Sequence, residues 1–498
     1  MVEGRASSDG ANSGDERMSA AKASGPRSSA RRAIDDPSGT GLRGRGGIGS
    51  RGRSPDQGRA VAVIGAGYVG LPTAATLAQL GHQVTCGDAD PAKVELLCRG
   101  QVPIVEAQLE DLVRQGQASG RLCFTLGAAA AVAGAEFVFL CVPTPQGADG
   151  SADLSMVEAA AAEIAPHLAA GAVIVNKSTV PVGSTLVVER VLGRRDVTVV
   201  SNPEFLREGT AVADSLHPDR IVIGAADQAA AARVGELFAG THAPLLITDA
   251  TTAETIKYAS NAFLATKLSF VNAVAGLCEA VGADVRDVIL ALGYDRRIGF
   301  EYLRPGPGWG GSCLPKDTRA LLSMADQTGY DFPLLRGAIA TNDAQFARVV
   351  DKVRAAVSGA GGTLAGTTIA VWGLAFKAGT DDIRQSPAVE VVRRLVAEGA
   401  AVQVFDPVVT SLDGPGGVVG GAGRLGTGDG MTVAADAYAA CNGAAAVVVL
   451  TEWDDFRWLD FDQVRARLAH PVVIDARNLL DPAQLRRLGF TYTGMGRP

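Results

Sequence analysis

Cysteine and histidine are scarce in this chain, positive charge is in deficit, and no long hydrophobic run occurs. The seven cysteines, at 86, 98, 123, 141, 278, 313 and 441, are an odd number with no Cys-x-x-Cys pair. That spacing speaks against a disulfide framework and a thiolate zinc site, and it fits a reducing, cytoplasmic compartment. The five histidines, at 82, 167, 217, 242 and 470, lack metal-ligand spacing, so no metal is expected. The longest apolar runs, such as Phe137 to Val142 and Ala444 to Leu450, fall far short of the ~20 residues of a membrane helix, so no membrane partner is expected. A formal net charge of -7 gives no general attraction to nucleic acid or anionic lipid, and any phosphate on a ligand must be met locally. What is present is 498 residues with 47% hydrophobic and 20% charged composition, enough for a large core spread over two to four domains.

Residues 1 to 58 are rich in Gly, Ser, Ala and Arg, with ten basic against seven acidic side chains and almost no large apolar residue. Such a segment cannot offset its ordering entropy by burial, and a disordered tail is expected. No apolar region follows Arg31-Arg32, so it does not read as a twin-arginine export signal. An upstream start codon, with Met18 or a later site used instead, is an equal reading.

From Arg59 onward short apolar runs alternate with helical stretches. Val61 to Ile64, Val84 to Gly87, Phe137 to Val142, Val173 to Asn176, Val197 to Ser201 and Ile221 to Ile223 read as buried strands of a parallel sheet with helical crossovers. One helical pattern runs from Thr251 to Gly282, about 45 Å long at 1.5 Å per residue, and a helix of that length joins lobes. A second strand series starts at Thr368 to Trp372 and continues through Val402 to Phe405, Ala445 to Leu450 and Val472 to Ile474; the Gly-rich stretch Ser358 to Thr367 marks the boundary before it. The expected fold is therefore α/β: two Rossmann-like doubly wound lobes (59–248 and 361–498) joined by the long helix and a helical middle (249–360).

The first strand runs into Gly65-Ala66-Gly67-Tyr68-Val69-Gly70, and a helix follows. Glycine there lets the turn close and the backbone approach a pyrophosphate seated on the helix N-terminus. Strand before, helix after and an acid 18 residues past Gly70, Asp88, complete a dinucleotide fingerprint. A carboxylate at that position binds ribose hydroxyls and repels a 2′-phosphate, which favours NAD over NADP. Asp90, ahead of Pro91, reads as the N-cap of the next helix, with Lys93 within reach of the cofactor.

The middle of the chain carries a second signal. Gly306, Gly308, Gly310 and Gly311 surround Trp309 and lead into Ser312-Cys313-Leu314-Pro315-Lys316-Asp317. A cysteine behind such a backbone, with Lys316 three residues on, is a candidate nucleophile. Taken alone it is equally a small buried thiol beside a glycine loop, and free cysteine is among the most buried residue types.

At this point the sequence resembles the UDP-glucose/GDP-mannose dehydrogenase family over about 59 to 480. The matching runs are Val63 to Gly70, Val142 to Pro145, Lys177 to Pro181, Asn202 to Gly209, Lys257 to Asn261, Gly306 to Asp317, Ala375-Phe376-Lys377 with Asp381 to Pro387, and Asp475 to Asn478. The resemblance implies a four-electron, NAD-dependent oxidation of a nucleotide sugar. Cys313 adds to an aldehyde intermediate, the thiohemiacetal is oxidised to a thioester, and Glu204 activates the water that cleaves it. Lys257 and Asn261 face the reacting carbon from one side of the long helix, with Asp317 and Thr144 completing the network. The resemblance places Thr179, Glu208, Lys316 and Arg384 on the cofactor with Gly65, Gly67, Tyr68, Val69, Gly70, Asp88 and Lys93. It places Phe205, Leu206, Tyr302, Leu303, Arg304, Gly310, Phe376, Lys377 and Arg477 on the substrate. Arg297 matches a residue contributed across a dimer interface, which implies a homodimer or larger assembly. Ser312 before the cysteine is similar to the branch that oxidises UDP-glucose; GDP-mannose, UDP-GlcNAc and UDP-ManNAc are the alternatives. Outside the resemblance, the Lys257 helix face would be a solvated stripe with a Glu254–Lys257 pair. The tail and the Gly-rich stretch from about Gly414 to Thr432 lie outside the family's pattern and are expected to be disordered.

Overall fold

The computed structural model describes residues 58–147, 150–359, 361–410 and 430–497. The expected tail, up to residue 57, and the glycine-rich stretch from 414 to 429 lie outside the described residues. The end of that stretch is ordered, however: Met431–Val433 pairs in parallel with Ala401–Phe405.

Two sheets carry the two lobes. The first contains β1 (Ala60–Ile64), β2 (Gln83–Asp88), β3 (Leu122–Leu126), β4 (Phe137–Leu140), β5 (Val173–Asn176), β6 (Thr198–Ser201), β7 (Ile221–Gly224) and β8 (Leu245–Thr248), in the order β3-β2-β1-β4-β5-β6-β7-β8. The second contains β9 (Thr368–Trp372), β10 (Ala401–Phe405), β11 (Met431–Val433), β12 (Ala446–Val449), β13 (Val472–Asp475) and β14 (Thr491–Gly494), in the order β11-β10-β9-β12-β13-β14. In each sheet the chain reverses direction beside its first strand, β1 or β9, and ligands bind at such switch points, off the carboxyl ends of the strands. All pairings are parallel except β6 with β7, which touch antiparallel at Ser201 and Gly224. The sequence pattern does not announce that exception, because a strand buried on both faces reads the same in either direction.

The helix Ala250–Val281 is 32 residues long, about 48 Å at 1.5 Å per residue. The Asp249 carboxylate caps its start by accepting from Thr252 N–H, and Gly282 at φ +75° ends it. Its length and composition would allow it to cross a membrane, with a mean hydropathy of 1.3 in its most apolar window. Yet it packs against the helices Leu314–Gln327 and Pro333–Gly359 and buries Glu254, Lys257 and Asn261 among its apolar residues. Lys257 and Asn261 line the cavity described below, and Glu254 accepts hydrogen bonds from Gly183 and Thr185.

Candidate active site

The cofactor end of the site is built by β1, β2 and the helix Gly70–Gln79. Gly65 has φ +99°, and a Cβ there would sit 2.7 Å from the Cys141 carbonyl; one at Gly70 would lie 1.7 Å from the Gly65 carbonyl. Only glycine lets these three segments approach so closely. A Cβ at Gly67 would meet nothing within 4 Å, so the turn is open on its outer side, where a pyrophosphate fits the helix N-terminus. Asp88, at the end of β2, accepts from Ala66 N–H at 2.8 Å and Asp90 N–H at 3.0 Å, and pairs with Lys93 at 3.0 Å. Asp90 caps the next helix as its position before Pro91 predicts. Gly65, Gly67, Tyr68, Val69, Asp88, Lys93, Thr144, Thr179, Glu208, Lys316 and Arg384 all line one cleft of about 1210 Å³. Glu204 and Cys313 line it too. Gly70 packs beneath the turn.

Across the cleft the second lobe closes on the first. Tyr68 donates its hydroxyl to Asp381 at 2.7 Å, and the Arg384 guanidinium lies 5.4 Å from the Tyr68 ring centre. Arg384 pairs with Asp382 at 2.6 Å and Glu208 at 3.5 Å. Ser312 Oγ donates to Glu208 at 2.8 Å, so the serine faces the cofactor cleft. Burial and the neighbouring Asp382 push the Glu208 carboxyl up to about 7.

The reacting cluster is two pairs around one thiol. Lys257 Nζ lies 2.7 Å from Glu204 Oε1, both side chains 4% exposed, and Glu204 Oε2 accepts from Leu206 N–H at 2.6 Å. Burial works against the charge on Glu204, but Lys257, the Leu206 N–H and Lys177 outweigh it and hold the carboxyl below its ordinary range. For Lys257 burial is likewise outweighed by Glu204, Cys313 and Asp317, which keep the ammonium charged. Asn261 Nδ2 donates to Asp317 Oδ2 at 2.6 Å, and Lys316 holds the other Asp317 oxygen at 2.6 Å. Thr144 Oγ1 donates to the Thr179 carbonyl at 2.7 Å. The solvated stripe with a Glu254–Lys257 pair does not form: Glu254 instead accepts from Gly183 N–H, Thr185 N–H and Thr185 Oγ1 at 2.6, 3.0 and 2.8 Å.

Cys313 is the N-cap of the helix Leu314–Gln327, where helix N–H dipoles favour a negative sulfur. Burial nevertheless pushes its thiol up to about 11; Lys257 opposes this, while Glu204, Asp317 and Glu208 add to it. Lys316 does not activate the thiol as its spacing suggests, because its ammonium is turned onto Asp317. The cation that acts on Cys313 is Lys257, brought from 56 residues upstream by the long helix.

The residues expected on the substrate fall into three groups. Phe205, Leu206, Lys257, Asn261 and Tyr302 line a common cavity, with Tyr302 in the left-handed region at φ 59°. Leu303 is buried and Arg304 exposed. A Cβ at Gly310 would lie 2.1 Å from the Gln385 carbonyl, so this glycine lets the loop meet the second lobe. There Arg477 donates to the Phe376 and Leu450 carbonyls, each at 2.8 Å. Lys377 Nζ lies 5.7 Å from the Phe376 ring centre. Arg297, by contrast, is 88% exposed and bound only by Asp295 among the described residues, away from this cluster in the single chain.

Several supporting residues escape sequence reasoning. Asn342 brackets Trp309, accepting from its N–H at 2.7 Å and donating to its carbonyl at 2.9 Å. Asn272 and Gln345 hold Gly306 from either side, and Ser269 takes the Trp309 indole N–H at 2.8 Å. Polar residues at 254, 257, 261, 269 and 272 recur at three- and four-residue spacing on a helix otherwise apolar on that face, which was a readable signal for Ser269 and Asn272. Nothing local singles out Asn342 or Gln345.

The chain is similar to known proteins along most of its length. Residues 59–242 match the NAD binding domain of the UDP-glucose/GDP-mannose dehydrogenase family, 251–344 its central domain and 370–482 its UDP binding domain. The UDP-glucose 6-dehydrogenase of Pseudomonas aeruginosa is 44% identical over 447 residues, spanning 88% of this chain and 97% of that protein. The UDP-glucose 6-dehydrogenase of Rhizobium meliloti is 45% identical over 448 residues, spanning 88% and 99%. The solved UDP-glucose dehydrogenase of the hyperthermophilic archaeon Pyrobaculum islandicum matches with a TM-score of 0.78 at 36% identity, over 90% of this chain and 100% of that one. With all three domain models matched in order, the chain belongs to the UDP-glucose/GDP-mannose dehydrogenase family.

Proposed function

We propose that this enzyme oxidises UDP-glucose to UDP-glucuronate in two successive hydride transfers, with Cys313 holding the carbon between them. The observation that carries the reading is the convergence of Cys313 with the Lys257–Glu204 and Asn261–Asp317 pairs beside the cofactor cleft. The high identity to two UDP-glucose 6-dehydrogenases supports UDP-glucose over other nucleotide sugars.

NAD supplies the hydride acceptor twice. Hydride leaves C6 while the hydroxyl proton passes by way of Asp317 to water, leaving an aldehyde whose oxygen is met by the Lys257 ammonium and the Asn261 amide. The Cys313 sulfur then bonds to C6 while the thiol proton passes to the new oxyanion. A second hydride loss, with that hydroxyl proton, makes the thioester. Water activated by Glu204 adds to it, the C–S bond breaks, and the proton returns to sulfur. The balance consumes two NAD and one water per sugar and yields two NADH. A stopped assay counting NADH against UDP-glucose, GDP-mannose, UDP-GlcNAc and UDP-ManNAc tests this, with two NADH per UDP-glucose expected; one NADH per sugar, or faster turnover of another sugar, rejects the reading.

The assembly we infer is a homodimer across the long helix. Phe263, Phe270 and Leu277 recur every seven residues on its outer face, at 67%, 55% and 62% exposure, and such an apolar seam is costly in water. Arg297, free of its own site, would enter the partner's. Phe270→Glu is expected to turn a dimer into a monomer in sedimentation velocity at micromolar concentration; an unchanged sedimentation coefficient would refute this interface. The free cysteines of the described residues suit the reducing cytoplasm, which fractionation of expressing cells checks.

A further inference from the structure

The Lys257–Glu204 pair borders the cavity, of about 470 Å³, that Phe205, Leu206, Asn261 and Tyr302 line. Lys257 lines it, whereas Glu204 lines the cofactor cleft, so their 2.7 Å ion pair stands between the two spaces. A second buried lysine, Lys177, reaches this cavity from the residue after β5, the strand that pairs with β6 just before Glu204. Lys177 Nζ donates to Asn202 Oδ1 at 3.2 Å. Asn202 is fastened in turn: its Nδ2 donates to the Val222 carbonyl at 2.8 Å, and its backbone N–H to the Asn176 carbonyl at 3.0 Å. The lysine is thus tied to the chain two residues before Glu204.

An ammonium carries three N–H donors and is costly to bury on one neutral acceptor. Burial pushes Lys177 down to about 8, Glu204 and Cys141 support its charge, and Lys257 opposes it. The Phe238 ring lies 5.9 Å from the ammonium. From the helix Gly70–Gln79 only the uncharged Thr73 and Thr76 face the cavity; besides Lys177 and Lys257, Arg207, Asp214, His217, Asp219, Arg220, Glu301 and Tyr302 complete its charged and titratable lining. Glu204, outside this lining, is the carboxylate that supports the charge on Lys177, and Lys177 is in turn one of the groups that keep Glu204 ionised.

We propose that Lys177 is a positioning residue whose charge, fixed beside Asn202, keeps the Glu204 carboxylate ionised and so sets the lowest pH at which the Cys313 thioester is cleaved. The proposal rests on the role given above to Glu204. The sign follows from charge. Removing a nearby cation raises the pH at which Glu204 takes a proton, and a protonated Glu204 cannot accept one from water.

The test follows the decay of acyl-enzyme on Cys313 after one turnover with UDP-glucose and NAD, quenched across about pH 3 to 8, a window that includes the lowered range of Glu204, and read by intact mass. In Lys177→Gln, which keeps a donor to Asn202 but no charge, the acid limb of the decay rate is expected to move up by about one pH unit. In Lys177→Arg it should stay within about 0.3 pH unit of wild type. Lys177→Met supplies a second neutral side chain of similar length should the Gln variant fail to fold. A limb that stays in place when the charge is removed, whether or not the rate falls uniformly, overturns the proposal. Wild-type enzyme separates the two readings: no acyl-enzyme and one NADH reject the thioester itself, whereas acyl-enzyme with two NADH and an unmoved limb reject Lys177 alone.

Discussion

Cys313→Ser is expected to lower the rate of UDP-glucuronate formation by about 10³- to 10⁴-fold, equivalent to about 4 to 5.5 kcal/mol of barrier. The wild-type thiol is pushed up to about 11 by burial, so it is protonated at neutral pH and cannot act as a free thiolate. In the proposed reaction it attacks as its proton passes to the oxyanion forming beside Lys257 and Asn261. A serine hydroxyl in the same place is a weaker acid and a weaker nucleophile, and its side chain neighbours no histidine base. Fold should be little affected, because the substitution at this N-cap removes little volume and keeps a polar atom at the cap, for a change of about 1 kcal/mol or less in stability. Quenched product analysis checks the rate, and urea unfolding checks the fold. Retention of more than about a tenth of wild-type activity in a folded variant would show that sulfur does not carry the carbon, leaving a simple two-electron alcohol dehydrogenase as the better account.

Glu204→Gln is expected to cut steady-state turnover by about 10³-fold, within the range typical of a lost general base, while leaving a burst of two NADH per site and a sugar acyl group on Cys313. The substitution also strips Lys257 of its buried partner, and an unpaired buried charge costs about 3 to 5 kcal/mol. That cost can slow the burst, because the role proposed for Lys257 is in the first oxidation. It does not change the burst's amplitude, which counts oxidations before the blocked hydrolysis. Rapid-quench NADH counting with intact mass on the same samples distinguishes the steps. A burst of one NADH, or bare Cys313 after the burst, would place Glu204 elsewhere in the reaction.

The central strands of both sheets are legible in the chain. Val173–Asn176 and Thr368–Trp372 have the bounds their apolar runs suggest, and the remaining interior strands differ by a residue or two at their ends. The strands that escape reading are β3, β8, β11 and β14, the four sheet edges. An interior parallel strand is apolar on both faces, whereas an edge strand is half solvated and carries mixed residues. In β8 the side chains of Leu245 and Leu246 are 45% and 49% exposed, so even an apolar run does not mark its place there.

For the site, the residue types and their local spacing were present in the chain: the Gly65 to Gly70 turn with Asp88, the Lys257 and Asn261 face, and Cys313 following its glycines. Their partners were not. Lys257 could reach Glu254 within its own helix, and only the packing of that helix against the end of β6 pairs it with Glu204 and leaves Glu254 to cap a different helix. Lys316 is near Cys313 in sequence, yet Asp317 takes its charge and the thiol answers to Lys257. Short-range patterns determine which backbone forms and which side chains share a face, because helices and strands have fixed periods. Which buried charges meet, and therefore which proton moves where, is decided by tertiary packing, since burial raises the cost of an unpaired charge until each finds a partner that sequence distance does not predict.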